Sequence, residues 1–151
     1  MNLTEIIFKN SIFLDVDAKS SSSLLKEISN KCSKITKIPS NIILKKLNER
    51  EKLGSTVVGN GICIPHAKIN GLKRIFSFFF RLKKSIIFTN TNTEKVDLIF
   101  VIIAPIESNS EHLMALSTVS SFLKQKKAKE HLRNIKDTKK IYELFKEFSE
   151  D

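Results

Sequence analysis

Apolar residues recur at two different spacings along this chain, and the two spacings predict an alternation of helices and strands. A helix is predicted over residues 24–35, where apolar side chains recur every three or four positions after a run of serines that can cap its first turn. A second helix is predicted between Pro39 and Gly54, because proline is tolerated in a first turn and glycine commonly follows a last one. A short strand at 12–16 is expected before both helices.

The middle of the chain has the composition and spacing of β-structure. Short apolar runs predict strands at 62–64 and 74–82, and a short edge strand at 84–88. The stretch 96–104 is apolar except for Asp97 and shows no alternation, which indicates a central strand that is buried on both faces. We therefore expect a sheet whose centre lies in the second half of the chain.

Helical spacing returns after the central strand. Three further helices are predicted, at 111–123, 126–132 and 137–148. The first of them is expected to carry on one side Leu113, Leu116, Val119, Ser120 and Leu123. Helices at both ends of the chain with strands between them predict a layered α/β sandwich, and not a helix bundle or a barrel. A length of 151 residues allows one domain with one substantial core.

The chain is strongly basic, with a formal net charge of +10 at pH 7 and a pI near 9.7. Such a charge attracts an anionic partner, which can be a nucleic acid, an acidic protein face or a phosphorylated group. Most of the 26 basic residues are lysines scattered through the sequence, which is also what a solvated surface with a general lysine bias produces. No segment combines clustered arginines with aromatic residues, so a nucleic-acid partner is not predicted.

Other protein classes are excluded by what the sequence does not contain. It has neither an apolar run long enough to cross a bilayer nor a basic leader followed by a long apolar stretch, so we expect a cytoplasmic protein without membrane insertion. Cys32 and Cys63 are the only cysteines, and we interpret them as reduced, structural thiols. A metal site needs more ligands at closer spacing, so neither a metal nor another cofactor is predicted.

The residues best suited to chemistry follow strands or end helices. His66 comes directly after the strand at 62–64 and a proline that ends it, so its imidazole is expected at the mouth of the sheet as a nucleophile, an acid or base, or a ligand. His112 stands in the first turn of the helix after the central strand, and Arg50 near the end of the second helix. Because side chains beyond strand ends converge in open α/β sheets, His66 and His112 are expected to lie close together.

Each of these residues also has a purely structural interpretation. A turn can hold a histidine such as His66 without using it, polar residues such as His112 commonly start helices, and an arginine such as Arg50 is often only a solvated helix residue. A Cys63–His66 nucleophile pair is rejected, because residues three apart in an extended chain point to opposite faces. His131 lies on a charged helix and is expected at the surface.

Short segments occur in an order that carries a resemblance. They are Arg50-Glu51, Gly-Ser-Thr at 54–56, Gly-Asn-Gly-Ile-Cys-Ile-Pro-His at 59–66, the strand at 96–100 with Ala104-Pro105, and His112-Leu113 with Leu116. In this order they resemble the EIIA type-2 domain of the bacterial phosphoenolpyruvate-dependent phosphotransferase system, the fructose and mannitol class. The nitrogen-regulatory branch is the most similar in pattern. The resemblance covers about residues 3–148 of a single domain spanning 1–151, and departs from the family mainly at Cys63 and Ala67.

The resemblance implies both a fold and a function. The family's fold is a mixed β-sheet sandwiched by helices, and its central histidine, matched by His66, takes a phosphoryl group from phosphorylated HPr or a nitrogen-branch relative of HPr. The accompanying histidine and arginine match His112 and Arg50, and Thr56 is a further hydroxyl for the same site. The chain is thus expected to be a phosphohistidine carrier, and not a turnover enzyme on a small substrate. It would act on regulatory target proteins, or as an alternative on the EIIB of a fructose- or mannitol-type sugar permease.

Overall fold

The structure is a computed structural model, and it describes residues 1–88 and 94–148. The described elements follow one another as a short 3₁₀ turn at Leu3–Glu5, β1 (Ile7–Val16), α1 (Ser21–Thr36), α2 (Ser40–Leu53), β2 (Val57–Gly59), β3 (Ile62–Cys63), β4 (His66–Ile69), β5 (Phe76–Ile87), β6 (Lys95–Pro105), α3 (Asn109–Leu123), α4 (Ala128–Asn134) and α5 (Thr138–Glu147). Residues 89–93 and 149–151 of the expected 1–151 domain lie outside the described part.

The six described strands form one open sheet in the order β1-β5-β6-β3-β2, and β4 also pairs with β6. The pairs β1–β5, β3–β6 and β4–β6 are parallel, whereas β5–β6 and β2–β3 are antiparallel. The sheet is therefore mixed, and helices cover both of its faces. The predicted α/β class, with a mixed sheet between helices in a single domain, is confirmed.

The central strand β6 shows why the sheet has two cores. Leu98, Phe100 and Ile102 pack on the face that also buries α3, α4 and α5. Their neighbours, such as Val101 and Ile103, pack on the opposite face with α1 and α2. Because side chains alternate along a strand, a strand that is buried on both faces has no polar positions to alternate. This confirms the prediction made for 96–104.

Three sequence-based element predictions were incomplete or wrong. The strand predicted at 12–16 is the second half of β1, whose first half pairs with β5 through Ile7 and Ser77. The edge strand predicted at 84–88 is not separate, because β5 continues through a register shift and pairs Ile86 with Val96. The short strand β2 was not predicted, and it forms the hairpin with β3.

The strands β3 and β4 run along the same edge of β6 and are separated by Ile64 and Pro65. The register is the same on both sides of this interruption, since Ile62 pairs with Leu98 and His66 pairs with Ile102. Pro65 has no N–H to donate, but its carbonyl accepts from the Ile102 backbone N–H at 3.0 Å. The sequence prediction that His66 follows the last strand residue is therefore wrong, because His66 opens a strand that is hydrogen-bonded to the centre of the sheet.

No helix in the described part of the chain is long and apolar enough to cross a membrane.

Candidate functional site

The hydrogen bonds of His66 fix which of its ring nitrogens carries the proton. Nδ1 lies 2.8 Å from the carbonyl oxygen of Ile64, and because a carbonyl only accepts, Nδ1 carries the proton and donates it. The Nε–H group of Arg50 donates to Nε2 of His66 at 3.2 Å, which requires a lone pair on Nε2. Both contacts select the same neutral tautomer. The lone pair of Nε2 is therefore held on the side of the ring that faces Arg50.

Helix α2, which packs against β4, brings Arg50 to this position. Arg50 stands in the last turn of the helix, and its Nη1–H group donates at 2.9 Å to the carbonyl of Gly54, just beyond the helix end. This bond fixes the plane of the guanidinium, so that Nε points at His66. Arg50 thus binds both a helix terminus and an imidazole.

The second predicted histidine lies beside the first. His112 is in the first turn of α3, where its backbone N–H donates to the carbonyl of Ser108 at 2.9 Å. The ring centroids of His66 and His112 are 5.3 Å apart, with 46° between the ring planes. Nε2 of His112 is buried and has no hydrogen-bond partner within the described residues. The structure thus brings together the three predicted residues Arg50, His66 and His112, while His131 is exposed on α4.

Both imidazoles are held neutral. Burial lowers the pKa of His66 below its usual 6.5, the bond to the Ile64 carbonyl raises it, and the Arg50 guanidinium lowers it again. Burial first, and then the nearby His66, Lys68 and Arg50, together lower the pKa of His112 to about 4. A neutral imidazole keeps a lone pair for a nucleophile or a ligand. At pH 7 the two rings therefore carry no charge inside a cationic environment.

Sequence reasoning missed Lys68 as part of this site. Lys68 lies two residues after His66 on β4, so that both side chains point to the same face, and its ammonium donates to the side-chain amide oxygen of Asn109 at the start of α3. The signal was present in the His-Ala-Lys sequence, but reading it required knowing that residue 66 begins a strand. Lys68 thus links β4 to the helix that carries His112.

A buried carboxylate, Glu51, helps to position Arg50 through the turn that follows α2. Glu51 is only 2% exposed, and its two oxygens accept from the backbone N–H of Thr56 at 3.4 Å and from the hydroxyl of Thr56. The hydroxyl that the sequence assigned to the site is therefore bonded to Glu51. Burial raises the pKa of Glu51, and the Thr56 bonds and Arg50 lower it. The pair Glu51–Thr56 holds the turn at 54–56, which contains the carbonyl that orients Arg50.

The three site residues line one open cavity of about 640 Å³. Its other lining residues are Lys46, Glu49, Lys52, Leu53, Ala67 and Lys68. The isoleucines near His66 in the sequence, Ile62, Ile64 and Ile69, are all buried in the core. The exposed apolar residues of this region are instead Leu53 and Leu113. Leu113 is 65% exposed, although helical spacing groups it with buried residues such as Val119. Within residues 1–88 and 94–148, no cluster of three or more histidine, cysteine or acidic residues could hold a metal ion.

We expect that Lys68→Met raises the pKa of His112 from about 4 toward the usual value of histidine. The reason is that the Lys68 ammonium is one of the charges that oppose protonation of the His112 ring. An NMR titration of the imidazole C–H signals measures this directly, and His112→Gln assigns the signal. Lys73→Met, an exposed lysine outside the cavity, is the matched control. An unchanged midpoint in Lys68→Met would show that the Lys68 ammonium does not contribute to the lowered pKa of His112.

Nearly the whole chain is similar to known proteins. Residues 5–148 match the family described as "Phosphoenolpyruvate-dependent sugar phosphotransferase system, EIIA 2". A nitrogen regulatory protein of Bradyrhizobium diazoefficiens is 32% identical over 144 residues, which are 95% of this chain and 94% of that protein. The fructose-specific EIIABC component of Bacillus subtilis is 29% identical over 87% of this chain, but the match covers only 21% of that longer protein.

Among solved structures, nitrogen regulatory protein IIA-Ntr of Neisseria meningitidis superposes with a TM-score of 0.87 at 28% identity, over 95% of this chain and 98% of that one. The family match spans nearly the whole chain, including both strands that flank Pro65 and the two elements that carry His66 and His112. This chain therefore belongs to the EIIA type-2 family of the phosphoenolpyruvate-dependent phosphotransferase system.

Proposed function

We propose that Nε2 of His66 accepts a phosphoryl group from the phosphohistidine of an HPr-type carrier protein, and that the chain is a regulator of the nitrogen-regulatory EIIA kind. One observation carries the proposal: a neutral imidazole whose Nδ1 proton is held by the Ile64 carbonyl, while its Nε2 lone pair faces the Arg50 guanidinium. A nucleophile for phosphorus needs this lone pair, and the phosphoryl group that arrives needs a cation.

The transfer exchanges one N–P bond for another. The bond between phosphorus and the donor's ring nitrogen breaks, and its electron pair stays on the donor imidazole. The lone pair of Nε2 of His66 forms the new bond from the opposite side of phosphorus. The Nδ1 proton stays in place, donated to the Ile64 carbonyl, so the positive charge that develops on the ring is stabilised by that oxygen. Neither side gains or loses a proton in this step.

The cationic groups act on the charge of the transferring group. During transfer, negative charge spreads over the three equatorial oxygens of phosphorus, and catalysis consists mostly of positioning and electrostatic stabilisation. Arg50 gives up its bond to Nε2 and turns its N–H donors to these oxygens, since the planar guanidinium suits two oxygens at once. Lys68 supplies a second positive charge on the same strand face. The neutral ring of His112 supplies a donor without adding a third cation beside His66.

Phosphorylation would change what this surface binds. A phosphoryl group adds up to about two negative charges and strong hydrogen-bond acceptors to a cavity that is otherwise cationic. An interface with a target protein can form in one state and be repelled in the other. The relatives named as nitrogen regulatory proteins, which match over almost their whole length, favour this regulatory role.

The experiment is incubation of the chain with phosphoenolpyruvate, enzyme I and HPr, followed by intact mass measurement. We expect the mass to rise by one PO₃ unit, with the label lost in acid as phosphohistidine is, and His66→Ala to remain unlabelled. A label of equal size on His66→Ala would place the acceptor at another residue and overturn the proposal.

Sugar uptake remains the second candidate, favoured by the likeness to a fructose-specific component. The two functions separate when the phosphorylated chain is mixed with the EIIB of a fructose- or mannitol-type permease. Rapid loss of the label to EIIB and on to the sugar would assign the chain to transport. Retention of the label, with different target proteins bound in the two phosphorylation states, would assign it to regulation.

A further inference from the structure

The surface around His66 has an unbalanced charge. Four cationic side chains line the cavity, namely Lys46, Arg50, Lys52 and Lys68, and the single carboxylate among the lining residues is Glu49. Glu49 lies 3.6 Å from the ammonium of Lys46 and so compensates only that cation. Glu51, the carboxylate below Arg50, is buried and is not presented to a partner. A protein that docks here meets a positive field.

The four cations have different positions relative to His66. Arg50 bonds His66 directly, and Lys68 shares its strand face, so both are close enough to act on the phosphoryl group itself. Lys46 and Lys52 stand on α2, one turn before Arg50 and two residues after it, and within the described part of the chain neither is hydrogen-bonded to His66 or His112. Their charges lie on the rim of the cavity, where the surface of a docked protein would lie.

An apolar side chain completes this rim. Leu53 is the last residue of α2, lines the same cavity and is 84% exposed, more than any other large apolar residue in the described part of the chain. A leucine exposed to this extent beside a reactive histidine gains free energy only when a partner covers it. Apolar contact at the centre with charged groups around it is the ordinary composition of a transient protein interface.

We propose that the phosphoryl donor of this chain docks through an acidic face, with an apolar patch that covers Leu53 and carboxylates that meet Lys46 and Lys52. This rests on the proposed function, since it names the partner of the same site. Complementary charge of this kind raises the rate of encounter and weakens with salt. The net charge of +10 adds a long-range attraction for the same partner.

The test compares two double variants with the same change in net charge. Lys46→Glu with Lys52→Glu reverses the rim, whereas Lys139→Glu with Lys140→Glu reverses two exposed lysines in the first turn of α5, away from this cavity. The rate of transfer is measured from the phosphorylated HPr-type protein of the same cell. We expect the rim variant to be slower than the α5 variant by about tenfold or more at low salt, with the difference shrinking as ionic strength rises.

Phosphoramidate, a small-molecule donor with a P–N bond, separates docking from chemistry because it needs no protein surface. We expect it to label His66 in the wild-type chain, in both charge-reversed variants and in the milder Lys46→Gln with Lys52→Gln, which shows that these variants are folded. Because phosphoramidate is itself a small anion, reversing the rim should slow it too, but by a smaller factor than it slows the protein donor. Equal transfer rates from the protein donor to the rim and α5 variants would overturn the acidic-donor proposal. Failure of phosphoramidate to label wild-type His66 would instead overturn the proposed function, and the docking proposal with it.

Discussion

Arg50→Ala should slow phosphorylation of His66 by about 100- to 1,000-fold, the usual loss when one preorganised electrostatic donor is removed from a transfer site. The guanidinium is the one group of residues 1–88 and 94–148 that hydrogen-bonds the nucleophilic nitrogen, and its orientation is fixed by the Gly54 carbonyl. A donor that is already oriented needs no rearrangement of its surroundings when charge develops. Single-turnover transfer from a phosphorylated HPr-type protein, followed by intact mass, measures the loss.

Two contributions to this loss can be separated by pH. Arg50 lowers the pKa of His66, so Arg50→Ala raises that pKa and leaves a larger protonated, unreactive fraction at a given pH. This part of the loss disappears above the raised pKa, where the ring is neutral again. The part of the loss that comes from missing stabilisation of the phosphoryl oxygens remains at every pH. We therefore expect the variant to recover only partly as the pH is raised, and full recovery would limit Arg50 to control of the His66 pKa.

Arg50→Lys tests whether the shape of the cation matters in addition to its charge. A lysine ammonium is a point charge and cannot hold the Gly54 carbonyl and face Nε2 of His66 with separate, coplanar donors. We expect an intermediate rate. Arg74→Ala is the matched control, since Arg74 is bonded to the Glu5 carbonyl and does not line the cavity. If Arg74→Ala were as slow as Arg50→Ala, the effect would be general and not local to the site.

The sequence was sufficient for the elements whose patterns depend on burial alone. The strand β6 is apolar at every position that faces either core, and α1 begins one residue after Ser20, whose hydroxyl accepts from the Ser23 backbone N–H at 3.1 Å. The extent of β1 and β5 was not predictable in the same way. Polar residues such as Ser11 and Ser77 are buried in those strands. The pattern of polar and apolar residues along β1 and β5 therefore does not show which positions tertiary packing buries.

The site was predictable in its members but not in its geometry. Arg50, His66 and His112 were identified from motifs, yet the bond between Arg50 and His66 joins residues 16 positions apart through the packing of α2 on β4. Leu113 fits the helical spacing of α3 but is exposed, because the first turn of that helix carries His112 toward the cavity and leaves the next residue outside the core. The spacing of apolar residues predicts which face of a helix is buried, but it does not predict at which residue along the helix the burial ends.

The segment that carries His66 is positioned by a contact that only the structure reveals. Arg133 on α4 donates from Nε and Nη2 to the two carboxylate oxygens of Asp97, each at 2.9 Å, and also donates to the backbone carbonyl of Asn60. The carbonyl of Gly61 accepts from the backbone N–H groups of Asp97 and Leu98 at 2.9 and 3.1 Å. The β2–β3 turn is thus fixed to β6 immediately before the strand that leads to Pro65.

Gly61→Ala should therefore lower the free energy of unfolding by about 2–4 kcal/mol, well above the cost of an ordinary surface substitution. Gly61 has φ +81°, which disfavours any side chain, and a Cβ there would clash with Nη2 of Arg133 and lie 2.7 Å from Oδ1 of Asp97. Both atoms belong to the ion pair, so relief of the clash displaces the Arg133 and Asp97 side chains from their present geometry. Urea denaturation followed by circular dichroism measures the loss.

Gly59→Ala separates strain in the backbone from the clash. Gly59 lies in the same hairpin with φ +98°, yet a Cβ there meets no atom within 4 Å, so this variant carries the conformational cost alone. We expect it to be clearly milder than Gly61→Ala. Arg133→Ala removes the clashing group, so the Gly61→Ala substitution should cost less in that background than in the wild-type chain. If the two glycine variants lost equal stability in both backgrounds, the Arg133–Asp97 pair would not constrain the turn, and the positioning of the His66 strand would depend on β-pairing with β6 alone.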